Sequence, residues 1–163
     1  MPDAPDDAVL EPLPRTLPAD AFTPRLLALV SNALVYREST LLKAEFGLGT
    51  NDWRVLASLA VRPGMTGAEL SDFLGTAEAL VSRSNRVLTE RGLITSSGGP
   101  GRSRHHYLTA EGARLHDLML PVSAAGQDVV LEGLSPAEVE HLNTVLRGML
   151  ARLRTAGPHP HSP

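Results

Sequence analysis

The segment TSSGGPGRSRHHYLT, residues 95–109, gathers the side chains best suited to chemistry. Arg102, Ser103, Arg104, His105 and His106 stand beside Gly98, Gly99, Pro100 and Gly101. Three chemistries suit such a set: a phosphate cradle, a metal site, or a hairpin tip that touches something anionic. A cradle requires glycines that open a helix directly after a strand. Here the glycines lie between two short apolar runs, GLI and YL, and no Gly-Lys-Ser/Thr follows. His105 and His106 are a poor ligand pair, because neighbouring strand residues point to opposite faces. One of them is expected to pack inward and the other to meet a phosphate. Ser103 beside His105 is more often a surface coincidence than a dyad, and no nucleophile–base–acid set stands out. The sequence therefore argues against an enzyme, a bound metal or a cofactor, and for an anionic partner.

Charge supports that choice once it is divided along the chain. The formal net charge is −3, yet residues 1–21 alone carry Asp3, Asp6, Asp7, Glu11 and Asp20 against Arg15. The other 142 residues hold 14 basic and 13 acidic groups. Within 76–107, Arg83, Arg86, Arg91, Arg102 and Arg104 face only Glu78 and Glu90. A basic patch in a near-neutral chain points to an anionic partner, with a solvated charged face as the bland alternative.

Composition bounds the scaffold. A chain of 163 residues suits one domain, and 42% hydrophobic with only 4% aromatic residues favours a Leu, Val and Ala core in helices over a β-sandwich. Cysteine is absent, which excludes disulfides, Cys-ligated zinc, iron–sulfur clusters and thiol switches. No apolar run approaches the ~18 residues of a membrane span, and the N-terminus lacks the basic start and apolar core of a secretory signal. The reading is a cytoplasmic protein with no membrane partner.

Residues 1–21, with five prolines and five acids, are expected to be a disordered tail, as are 155–163, which include His159 and His161. A helix of about 22 residues is predicted after Thr23, an N-cap candidate before Pro24, with Leu27, Val30, Leu34 and Leu41 in periodic positions and Gly47 at its end. A second helix, capped by Thr50 or Asn51, aligns Trp53, Leu56 and Leu59. A third opens on the Thr66–Glu69 capping box, with Leu70, Phe73 and Leu74 inward. A fourth begins at Thr76, turns Leu80, Val81 and Leu88 inward, and stops at Gly92. The hairpin LITSS and RHHYL follows. Thr109 then caps a long helix that Pro121 should kink, and Ser135 with Glu138 opens a last one bearing Val139, Leu142, Leu146, Met149 and Leu153. Three short helices and a hairpin describe a mainly α, winged helix-turn-helix fold. The apolar stripes on the outer helices are explained most simply by dimerisation.

In order and motif the chain resembles the multiple-antibiotic-resistance regulator (MarR) family of dimeric winged-helix transcription factors. The matching pieces are WRVLASLAVRPGMTGAELSDFLG, LVSRSNRVLTERGLI, YLTAEG and GLSPAEVEHL, and they span most of residues 24–154. The resemblance implies the order α1-α2-α3-α4-β-β-α5-α6, with a DNA-binding lobe over 50–108 and dimerisation helices over 22–47 and 110–154. It also implies a homodimer on a pseudo-palindromic double-stranded DNA operator, usually relieved by a small aromatic or phenolic ligand. A dimeric interaction module that keeps the fold without reading DNA is the alternative. By position, the helix opening at Thr76 would enter the major groove with Ser82, Arg83 and Arg86, and the wing would add Arg102, Ser103, Arg104 and His105. The sensing region would draw on Tyr36, Trp53, His116 and Met119, with a core role the better assignment for Trp53 and Met119.

Two positions depart from the family pattern. Ser84 and Asn85 stand where apolar residues usually pack the reading helix. Either Asn85 caps a neighbouring backbone group, or the helix rotates so that Val87 takes more burial. Pro100 stands where an aspartate usually anchors the wing arginine, here Arg102, so a weaker or less ordered wing contact is expected.

Overall fold

The computed structural model describes residues 4–5, 7–99 and 103–156. In chain order its elements are α1 (Thr23–Phe46), α2 (Thr50–Val61), β1 (Met65–Thr66), α3 (Gly67–Leu74), α4 (Glu78–Glu90), β2 (Ile94–Gly98), β3 (Arg104–Leu108), α5 (Ala110–Leu131) and α6 (Pro136–Ala156). This is the expected mainly α, winged order with one addition. Met65 and Thr66 pair with His106 and His105 of β3, so the hairpin becomes a three-stranded antiparallel sheet in the order β1-β3-β2.

Local chemistry sets the helix ends, though not always through the expected residue. The N-cap of α1 is Phe22, and Thr23 is already helical. The cap of α2 is Gly49, neither Thr50 nor Asn51, because Asp52 accepts the Gly49 N–H at 3.0 Å. Helix α4 opens at Glu78 with Ala77 as its cap. Thr76 instead closes the turn, its carbonyl accepting from Ser71 Oγ at 2.5 Å. Both capping boxes form. Glu69 N–H donates to Thr66 Oγ1 while Thr66 N–H donates to Glu69 Oε2, and Ser135 and Glu138 do the same at the start of α6. The hydrogen bonds from Thr66 hold the Glu69 carboxyl below its ordinary value. Helix α5 runs through Pro121 as one element, and α6 continues to Ala156, two residues beyond the expected end.

One core fills the lobe, with Leu42 of α1, Trp53, Leu56 and Leu59 of α2, Leu70, Val81, Leu88, Ile94 and Met119 all buried. Phe73 and Leu80, expected inward, are 49% and 42% exposed. The inward arc of α3 runs over Leu70, Ser71 and Leu74, and Phe73 sits on its flank. The arc of α4 centres on Val81, Ser84, Asn85 and Leu88, with Leu80 about a quarter turn away.

The outer helices contribute little to this core. α1 buries only Leu42, α5 only Gly112, Leu115 and Met119, and α6 buries no residue. Leu26, Leu27, Leu29, Val30, Val129, Leu142, Leu146 and Leu150 remain exposed on them. Apolar faces of this extent on long flanking helices are consistent with dimerisation. The described residues before α1 join no helix or strand, and no described helix is long and apolar enough to cross a membrane.

Candidate nucleic-acid interface

Helix α4 is amphipathic in the sense a groove-reading helix needs. Its buried row anchors it on α2 and the sheet, and its opposite face carries Ser82, Arg83 and Arg86, all exposed. Arg83 makes no hydrogen bond or ion pair among the described residues. Arg86 lies 3.9 Å from Glu90, a solvent-exposed pair of the kind worth little to stability. Two adjacent guanidinium groups thus project on one side of a short rigid helix. Such a fork can donate two parallel hydrogen bonds to guanine or clamp a phosphate.

The departure at Asn85 has a resolution the sequence did not offer. Asn85 and Ser84 do point inward, and Val87 is only partly buried. Asn85 finds a side chain and not a backbone group: its Nδ2 lies 3.3 Å from Nε2 of His106. So His106 is the inward histidine, and a polar contact joins α4 to the middle strand of the sheet. Asn85 Oδ1 and His106 Nδ1 are buried without partners among the described residues. An imidazolium here would be poorly solvated, and burial first, then Arg104 and His105, hold the His106 pKa below its ordinary 6.5.

The sign of the pH effect follows. In the unfolded chain His106 takes its proton near 6.5, while the folded protein resists it until a lower pH. As pH falls through that window the unfolded state binds more protons, and stability drops. Urea midpoints measured from pH 7.5 to 5 should decline with acid, and less steeply in His106→Gln. Equal slopes for the two proteins would contradict this assignment.

His105 faces the other way. Its Nδ1–H donates to the Gly64 carbonyl at 2.8 Å, since a carbonyl can only accept, and its Nε2 lies 3.5 Å from Ser103 Oγ. His105 is therefore partly used in tying β3 to the α2–β1 turn. Arg104 is exposed beside it, and Gly99 N–H donates to the Ser103 carbonyl at 2.8 Å across the base of the tip. Pro100 and Arg102, the anchoring position and the wing arginine, lie outside the described residues. Thr76 is half-buried in the turn that leads into α4. Arg91, counted above with the basic patch, is spent elsewhere: its guanidinium donates to the carbonyls of Phe46 and Gly47.

A cavity of about 670 Å³ opens between the lobe and the outer helices. Leu26, Leu27, Val30 and Leu34 of α1, Trp53 of α2, Val122 and Val130 of α5, and Leu142 and Leu146 of α6 line it. Its polar features include Glu38, which accepts a hydrogen bond from Ser123. Of the four residues named for sensing, Trp53 alone is on this wall. His116 stacks on the Trp53 ring with centroids 5.2 Å apart, Met119 is buried in the core, and Tyr36 is 78% exposed. Nothing in the sequence signalled the Trp53–His116 stack, which joins residues far apart in the chain.

Comparison with known proteins agrees with this architecture. The sequence model described as MarR family matches residues 46–103, which run from the end of α1 into the wing. A MarR-family transcriptional regulator from Silicibacter pomeroyi is 26% identical, with a TM-score of 0.79 over 86% of this chain and 98% of that one. A MarR-family regulator from Listeria monocytogenes, solved with a 26mer DNA, is 21% identical, with a TM-score of 0.75 over 80% and 87%. CouR from Rhodococcus jostii RHA1, solved with p-coumaroyl-CoA, is 20% identical, with a TM-score of 0.73 over 82% and 95%. No curated protein matches in sequence. Residues 46–103 thus match the MarR family model, and the fold of the chain as a whole is similar to that of MarR-family winged helix-turn-helix transcriptional regulators.

Proposed function

We propose that this protein is a transcription factor that acts in the cytoplasm as a homodimer on a pseudo-palindromic operator, and that it represses until a small aromatic or phenolic ligand relieves it. The observation that carries the DNA-reading part is the exposed row Ser82, Arg83 and Arg86 on a helix whose opposite side is fully engaged in the core. The open apolar faces of α1 and α6 support the dimer. The cavity beside Trp53 supports a ligand, as does the p-coumaroyl-CoA held by a protein of similar fold. In mechanism, ligand favours dimers whose two α4 helices no longer match half-sites ~34–36 Å apart.

Binding to the DNA upstream of its own gene, compared with random DNA at several salt concentrations, tests this reading. Affinity should fall with salt while preference for the upstream DNA persists. Equal, negligible binding to both at low salt would leave the interaction-module alternative standing. A monomer in light scattering at micromolar concentration would remove the dimer. For the wing, Arg102→Ala should cost less affinity than Arg83→Ala, because Pro100 supplies no carboxylate to hold Arg102. If Arg102→Ala is the more damaging, the weakened-wing idea is wrong.

A further inference from the structure

The C-terminal corner of α4 is tied to both of the long outer helices it meets. On one side Arg91, the C-cap of α4, reaches across 45 positions of sequence to the end of α1. Its Nη1 donates to Phe46 O at 3.1 Å and to Gly47 O at 3.3 Å, and its Nη2 donates to Phe46 O at 3.1 Å. The last carbonyls of a helix lack intrahelical donors and carry the negative end of its dipole. A planar cation with several fixed donors suits them better than a lysine would. On the other side, Thr109, the N-cap of α5, donates its hydroxyl to Gly92 O at 2.8 Å and its N–H to Leu93 O at 3.0 Å. One corner therefore joins the end of α1, the end of α4 and the start of α5. The apolar faces proposed for dimerisation lie on α1 and its neighbours, and Ser82, Arg83 and Arg86 lie on the middle turns of α4, about one and a half to two and a half turns from Arg91.

We propose that Arg91 is a positioning residue that fixes α4 relative to α1, and thereby sets the half-site spacing the dimer accepts. This rests on the DNA-binding dimer described above. Without Arg91, α4 is held at that corner from the α5 side only, and the distance between the two reading helices of a dimer becomes less strictly defined. The proposal also places α1 as the link from the cavity to α4, because Leu26, Val30 and Leu34 of the same helix line the cavity.

The test uses the full chain. An operator is selected from random-sequence DNA with the wild-type protein, and versions with one base pair added or removed between the half-sites are then compared. Wild type should disfavour the altered spacings by about tenfold or more, the range a lost bidentate base contact costs. Arg91→Met, which keeps the stem but no donor, should bring the three spacings to within about threefold, well below that range, with the salt slope unchanged. Arg91→Lys, a compact ammonium whose three donors share one nitrogen in place of the planar fork, should fall between, and it carries the comparison if Arg91→Met does not fold.

Three outcomes overturn the proposal. Retained spacing preference in the variants, with only a lower melting temperature, makes Arg91 a stabilising cap and nothing more. Retained preference with a salt slope smaller by about one per half-site makes it a phosphate contact instead. Failure of the wild type to select any sequence removes the DNA-reading proposal itself, and this inference with it.

Discussion

Arg83→Ala is expected to lower operator affinity by about a hundredfold, while leaving the melting temperature within error of wild type. For the fold, the guanidinium is exposed and makes no bond among the described residues, so its removal takes nothing away. The functional part comes from the groove. A bidentate arginine–guanine contact is worth about 1–3 kcal/mol per site, and a dimer makes it twice. Arg83→Lys should recover little of the loss if the contact is bidentate, because an ammonium cannot span O6 and N7. If Arg83 instead clamps a phosphate, the loss is uniform across sequences and the salt slope falls by about one per site. Fluorescence anisotropy with labelled operator, at three salt concentrations, separates these cases. Affinity within about threefold of wild type, less than the smallest cost of such a contact, would remove Arg83 from the interface.

Gly112→Ala is expected to destabilise the protein by about 3 kcal/mol or more, a reversal of the usual helix rule. In an ordinary helix the change gains up to about 1 kcal/mol, since glycine loses more backbone freedom on folding. At Gly112 a Cβ would fall on the carbonyl oxygen and carbon of Leu93. That carbonyl is itself held in place, accepting from Thr109 N–H and from the Thr109 hydroxyl at 3.2 Å. Since backbone meets backbone, no side chain can swing aside, and the first turn of α5 has to lift off the sheet. Gly67→Ala is the control, because nothing lies within 4 Å of its Cβ position. Thermal unfolding should show Gly112→Ala far below wild type and Gly67→Ala close to it. A Gly112→Ala protein as stable as wild type would mean that α5 does not pack on Leu93 as described.

Helix ends and the hairpin were legible in the sequence because their causes are local. Thr66 with Glu69, Ser135 with Glu138, and Thr109 each act within three residues of their partners, and Gly47 and Gly92 end helices through their own positive φ. The caps at Gly49 and Ala77 were missed because better capping residues stand next to them in sequence. Two-residue β1 was missed because a pair of residues has no periodicity to read. Phe73 and Leu80 misled for a different reason: apolar character records that a residue can be buried, and only the packing angle of the helix decides whether it is. The site divides the same way. The Arg83 face follows from helical spacing, whereas the Asn85–His106 contact, the Arg91 bonds to α1 and the Trp53–His116 stack each join distant segments. A polar residue in an otherwise apolar row was the one sequence signal among these, and it gave the position of Asn85 without naming its partner.

Helix α6 takes no buried position in its own chain, and this has a genetic consequence. If the dimer is the one proposed above, damage to α4 leaves α6 intact, so such a chain would still pair with a healthy copy and disable it, giving a dominant phenotype in cells that carry both alleles. In the proposed dimer, damage along Leu150 and Leu153 of α6 would leave each chain folded but unable to pair, and the healthy allele would mask it.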